Sequence, residues 1–223
     1  MLKDIILLTA RAEQQVALGA LLRAHNPALT VRGALTVDDL ARLAREPLRD
    51  ARLIAFTTGT IVPAAVLDAF GHGAYNFHPG PPDYPGWAPA HFAIYEQAKT
   101  FGATAHVMTE RVDAGPIVGT ETFPIPPDIG VRRLEELAYI SLAYLFWRLS
   151  KALATESAPL RVLPIRWNPR KSTRRDYAEM CRIPMDISKA ELDRRVKAFH
   201  DDFRAIYPTI VLHGVEFRAV PSR

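Results

Sequence analysis

The chain has 223 residues, 48% of them hydrophobic and 23% charged. That is an ordinary globular composition, and it excludes disordered and fibrous classes. A formal charge of +4 is too slight for a dedicated nucleic-acid binder, and the single Cys181 excludes an internal disulfide or a thiolate metal site, so a reducing cytoplasm is the expected location.

No apolar stretch reaches the ~20 residues of a membrane-spanning helix, and the apolar run in MLKDIILLTARAEQQ is too short for a signal peptide. DIILLT at 4–9 therefore predicts a buried first strand. AEQQVALGALLRAH predicts a helix in which Val16, Leu18, Leu21 and Leu22 recur at helical spacing. ALTVRG predicts a second strand, VDDLARLAREPL a second helix with Thr36 as N-cap, and ARLIAFTT a third strand. This alternation predicts an α/β fold with a doubly wound, mostly parallel, Rossmann-like sheet covered on both faces.

VPAAVLDAF after Gly59 predicts a short helix with Pro63 in its first turn, and GAYNFH a fourth strand. HPGPPDYPGWAP has too many prolines and glycines for helix or strand and must be an ordered loop. In open α/β sheets, ligands bind at the carboxyl ends of the strands. PAHFAIYEQAK then predicts a helix, ATAHVMTE a strand, and RVDAGPIV a turn into a further strand. LEELAYISLAYLFWRLSKALA predicts a long amphipathic helix, with Tyr139, Tyr144, Leu145, Phe146 and Trp147 as core or interface. The polar, basic RWNPRKSTRRD predicts a linker, SKAELDRRVKAFHDDF a helix, and TIVLHGVEFRAV a hairpin turning at His213-Gly214. The expected division is a catalytic domain over 1–160, a linker over 161–176, and a helix-and-hairpin extension over 177–223.

Residues two apart on a strand point to the same face, so Asn76 and His78 form a polar pair before the proline-rich loop. Together with Asp113 in the Val112–Gly115 turn, they supply a carboxylate, an imidazole and an amide. Acyl transfer to an amine needs such a set, because the amine must lose a proton and the tetrahedral oxyanion must be stabilised. No GxSxG motif calls for a serine nucleophile, and Cys181 lies in a polar segment without an adjacent His. His72, His78, His91 and His106 lack tight ligand spacing, so no metal is expected; His72 and His91 read as surface or loop-packing residues.

NFHPGPPDYPG followed by TAHVMTERVDAGPIV resembles the folate-dependent formyltransferases, the family of methionyl-tRNA formyltransferase and the sugar N-formyltransferases. The resemblance implies a catalytic trio at Asn76, His78 and Asp113, with 10-formyltetrahydrofolate as formyl donor. It implies that the segment Gly59, Thr60, Ile61 and Val62, with Val112 and Ala114, holds the folate, and that His106 supports the trio. Tyr84 and Trp87 are acceptor-side candidates. The loop departs from the family's Ser-Leu-Leu-Pro and Arg-Gly pattern, and LLTARAEQQ replaces the glycine-rich phosphate loop of the glycinamide ribonucleotide enzymes. The region after the linker resembles only the start of the family's second domain, which favours a small-molecule amine over tRNA, with a nucleotide-linked amino sugar as the leading acceptor. Formyltetrahydrofolate hydrolysis and a non-catalytic folate- or partner-binding module are the alternative readings. The hairpin's exposed edge could pair two copies into a homodimer.

Overall fold

A computed structural model describes residues 1–43, 48–200 and 204–219. Six strands form the central sheet: β1 (Asp4–Thr9), β2 (Thr30–Ala34), β3 (Ala51–Phe56), β4 (Ala74–His78), β5 (Thr100–Val107) and β6 (Ile117–Pro124). They lie in the order β2-β1-β3-β4-β5-β6. The first four are parallel neighbours, whereas β5 pairs antiparallel with both β4 and β6. The sheet is thus mostly parallel with an antiparallel flank.

Alternation within the strands divides the core into two layers. Ile5 and Leu7 of β1, Ile54 and Phe56 of β3, and Tyr75 and Phe77 of β4 pack on one face. There they meet Leu18 and Leu22 of α1 (Ala12–His25) and Leu142, Leu145, Phe146 and Leu153 of α5 (Val131–Thr155). Ile6, Leu8, Leu53 and Ala55 face the other way, towards Leu40 of α2 (Val37–Leu43) and Leu67 of α3 (Ala64–Leu67). Helices on both faces make the winding double. Thr36 caps α2: its hydroxyl accepts from the Asp39 amide, whose carboxylate accepts from the Thr36 amide. The later part of the expected VDDLARLAREPL helix, residues 44–47, lies outside the described residues, as do residues 201–203 at the end of SKAELDRRVKAFHDDF and residue 220 of the hairpin segment.

Several boundaries differ for local reasons. Thr57 takes a left-handed φ of 51° and ends β3 short of the expected Thr58. Gln97, with φ 55°, follows the end of α4 (Pro89–Tyr95), so β5 begins at Thr100 rather than Ala103. Val16 is 71% exposed, leaving Leu18 and Leu22 as the buried stripe of α1. Of the aromatic group on α5, Phe146 and the neighbouring Leu145 are buried, while Tyr139, Tyr144 and Trp147 are about half exposed, Tyr139 still packing its ring against Phe56.

The segment after α5 is stitched down. The Leu163 amide donates to the Ile117 carbonyl and the Asn168 amide to the Pro82 carbonyl. The Ser172 amide donates to the Pro85 carbonyl, and the Trp87 amide returns a bond to the Ser172 carbonyl. A helix that the sequence reading lacks, α6 (Arg174–Cys181), begins inside the expected linker, capped by Thr173. With α7 (Lys189–Phe199) it buries Tyr177, Cys181, Ala198 and Phe199 against Ala88 and Phe92. Cys181 is therefore buried rather than in a polar setting, and His91 is buried beside Tyr177 and Phe199. β7 (Thr209–Leu212) and β8 (Val215–Arg218) form the expected hairpin, with His213 and Gly214 both at positive φ.

Candidate active site

The antiparallel turn of the sheet builds the site. Asn76 on β4 lies directly opposite His106 on β5, and His78 lies opposite Thr104, so the four side chains share one face. The 108–116 segment then folds back and delivers Asp113 to this face. Asp113 holds a left-handed φ of 46°, a conformation that costs on the order of 1 kcal/mol for a residue with a Cβ and calls for support from the surroundings.

The Asp113 carboxylate sits between two imidazoles. Its Oδ2 is 3.4 Å from His78 Nδ1 and its Oδ1 is 3.3 Å from His106 Nε2. Oδ2 also accepts the Gly86 amide at 2.9 Å, and Oδ1 lies 3.5 Å from Asn76 Nδ2. All three ionisable side chains are buried. Burial pushes the Asp113 carboxyl up, but His78, His106 and the Gly86 N–H outweigh it and hold it down at about 2. Asp113 is therefore an anion at neutral pH.

The second nitrogen of each imidazole faces a backbone carbonyl. His106 Nδ1 donates to the Val107 carbonyl at 2.9 Å, which leaves Nε2 facing Asp113 and, at 3.1 Å, Asn76 Nδ2. His78 Nε2 lies 3.2 Å from the Tyr84 carbonyl. Acceptors on both sides favour a charged ring, whereas burial disfavours charge. Burial dominates and lowers the His78 pKa below its usual value, with Asp113 and the Tyr84 carbonyl pulling it back and His106 adding to the fall. The resting ring is thus neutral and available as a base.

Glycine permits two close approaches here. A Cβ at Gly80 would lie 2.6 Å from His78 Nε2, and one at Gly86, where φ is 97°, would lie 2.2 Å from the Ser172 carbonyl oxygen. The stiff loop can therefore press onto the imidazole and still present its amide to Asp113.

A cavity of about 670 Å³ opens beside the trio, within the range of ligand pockets. Gly59, Thr60, Ile61, Val62 and Val112 line it together with Asn76, His78, His106, Asp113 and Trp87. A side chain added at Gly59 would meet nothing within 4 Å. Ala114 is exposed and does not line this cavity. Tyr84 is also set back: its ring packs near Phe101, burial and Glu96 raise its phenol pKa, and its contribution to the site is the carbonyl on His78. Trp87 packs edge-on against Tyr177 with the Arg204 guanidinium over its ring. Among the described residues no cluster of His, Cys, Asp and Glu could hold a metal ion.

Two residues expected only as part of a linker join the site. Trp167 sets its indole edge-on to the rings of His106 and His78, with centroids 5.1 and 5.9 Å away, and donates to the Gly115 carbonyl at 2.8 Å. Lys171 donates to the Val112 carbonyl at 2.8 Å. The proline-and-arginine setting of both residues gave no periodic signal from which to find them.

An amide, an imidazole and a carboxylate thus meet beside a cavity of about 670 Å³ on one face of a doubly wound sheet. The formyl transferase family model matches residues 35–138, which include the whole trio. The methionyl-tRNA formyltransferase of Enterococcus faecalis is 32% identical over 111 residues, 48% of this chain and 35% of that protein. The chain thus matches about a quarter to a third of the length of its curated relatives. The fold is that of a sugar N-formyltransferase from a Shewanella species, with a TM-score of 0.74 and 18% identity over 99% of this chain and 97% of that one. The N-formyltransferase of Helicobacter canadensis, solved with folinic acid and dTDP-3-aminofucose, superposes over 96% of this chain and 85% of its own, with a TM-score of 0.67 and 16% identity. The resemblance to the folate-dependent formyltransferases therefore holds in sequence over 35–138 and in fold over almost the whole chain.

Proposed function

We propose that the protein transfers a formyl group from 10-formyltetrahydrofolate to a primary amine of a small acceptor, and that the acceptor is a nucleotide-linked amino sugar. The observation that carries this reading is the anionic Asp113 held between two imidazoles at the edge of a cavity of about 670 Å³. The likeness in fold to a protein solved with folinic acid and dTDP-3-aminofucose supports both the donor and the acceptor class.

The segment Gly59–Val62, with Val112, would hold the folate, whose part is to supply an electrophilic formyl carbon. Neutral His78 takes the proton from the attacking amine and Asp113 stabilises the imidazolium so formed, which would return the proton to the folate nitrogen as its bond to the formyl carbon breaks. Asn76 Nδ2 donates to an oxygen that gains negative charge, and its anchor on His106 Nε2 fixes the direction of that donation. Mass spectrometry of dTDP-linked amino sugars incubated with 10-formyltetrahydrofolate and the protein tests the proposal. A gain of one formyl group is expected. Formate released at the same rate without any amine would replace the transferase by the hydrolase, and folate binding without turnover would leave only a binding module.

The same reading carries the expectations that the protein works in the cytoplasm and that tRNA is disfavoured as acceptor. No helix among the described residues is long and apolar enough to cross a membrane. A homodimer through the terminal hairpin belongs to the proposal as well. Leu212, Val215 and Phe217 share one face of the hairpin and are exposed, and two strands alone are marginal in water. Sedimentation should give twice the chain mass, and Phe217→Arg should return it to the single-chain value.

A further inference from the structure

The segment from Leu163 to Thr173 is expected from sequence to be a solvated linker, yet its hydrogen bonds converge on the loops that carry the catalytic groups. Asn168 and Ser172 bond main-chain atoms of Pro82, Asp83, Pro85 and Trp87, the loop whose Gly86 amide reaches Asp113. Trp167 and Lys171 bond the carbonyls of Gly115 and Val112, which flank Asp113 on either side. Asp113 itself sits in a left-handed conformation, so its turn relaxes unless it is held. The indole also covers the edges of both imidazoles.

We infer that Trp167 is a positioning residue for the transfer: its N–H anchors the Asp113 turn and its ring backs the two imidazoles, keeping the carboxylate between them. The inference rests on the assignment of His78 and Asp113 to the reaction. It reaches that site from a segment that neither the family match over 35–138 nor the motif residues include. Trp167 is not among the residues that line the cavity, so it acts through the groups it holds rather than by touching a substrate.

The test reads the geometry without turnover. The charged and polar groups that face the two rings are Asp113, each other, the Asn76 amide, and the carbonyls of Tyr84 and Val107. Trp167→Phe keeps an aromatic ring, and with it the burial, but removes the N–H. The carboxylate then retreats, and the support it gives to the charged rings weakens. In ligand-free protein labelled at histidine, NMR titration should show the His78 midpoint lower by about half a unit or more. Asn168→Ala, an exposed and uncharged change that loosens the same segment, should lower the His78 midpoint by a smaller amount. It also carries the test alone should Trp167→Phe fail to fold. With saturating 10-formyltetrahydrofolate and a competent acceptor, kcat should fall at least tenfold in Trp167→Phe while KM for the donor changes less than twofold. Midpoints within about 0.1 unit of wild type in both variants, or midpoints that rise because water has entered, overturn the inference. The titration can succeed in a protein that transfers nothing, so failure of the positioning role and failure of the proposed reaction are separately visible.

Discussion

Replacing Asp113 by Asn removes a charge and keeps a shape. The Gly86 amide retains an acceptor, so the loop should stay docked; what disappears is the field on two imidazoles 3.4 and 3.3 Å away. At an effective dielectric near 20, a unit charge pair at that separation interacts by roughly 5 kcal/mol. Only part of that is lost, since the substituted amide would still present a dipole. A loss of about 3–4 kcal/mol from the step in which His78 becomes charged corresponds to a fall of roughly a hundredfold to a thousandfold in kcat/KM. The assay is initial-rate formyl transfer followed through the folate chromophore, with the wild-type and Asp113→Asn proteins at equal donor saturation. Melting temperature and folinic acid affinity serve as controls, and both should remain close to wild type. A fall of less than tenfold would refute the reasoning, because a carboxylate this close to the ring could not then be stabilising its charged form.

Three further outcomes follow from other parts of the structure. Burial lowers the His78 pKa, so its neutral form persists below the usual ~6.5, and the acid limb of kcat/KM should fall below that pH. A limb at or above 6.5 would contradict the assignment of His78 as the base. Gly80→Ala places a methyl group 2.6 Å from His78 Nε2; kcat should drop tenfold or more while donor affinity, measured by titration, is retained. Arg52 is fully buried and donates five hydrogen bonds to the carbonyls of His72, Ala152, Leu153, Glu156 and Ala158. It ties β3 to the end of α5, and Arg52→Met should lower the unfolding free energy by about 3–5 kcal/mol in urea denaturation.

The parts of this fold that could be read in advance were those with a local cause. The apolar alternation of DIILLT and ARLIAF, the Asn-x-His pair and the Asp-x-Gly turn each announce themselves within a few residues. The direction of β5 does not, because a strand looks the same in either direction, and the antiparallel pairing that sets His106 opposite Asn76 leaves no mark in the residues of β5 themselves. The segment carrying Trp167 and Lys171 was illegible for a related reason. Its bonds run largely through loop backbone far away in sequence, and a polar stretch with prolines looks the same whether it is solvated or stitched down. The α6 helix had a readable signal in Thr173 and Asp176, which form a capping box, but the run between them and Cys181 was too short and polar to stand out. On α5, periodicity identified an amphipathic helix yet not how far each aromatic residue is buried, since Tyr139, two turns before the buried Phe146, is 43% exposed although its ring packs on Phe56.

The account stands on the cavity beside Asp113 being the donor site, and calorimetric titration with folinic acid tests that most directly. Gly59 lines the cavity, and a side chain there meets nothing within 4 Å, so Gly59→Trp should fold normally while filling the pocket. The account predicts saturable binding to the wild-type protein and its loss in Gly59→Trp. Absence of binding, or binding that the tryptophan leaves untouched, would contradict it.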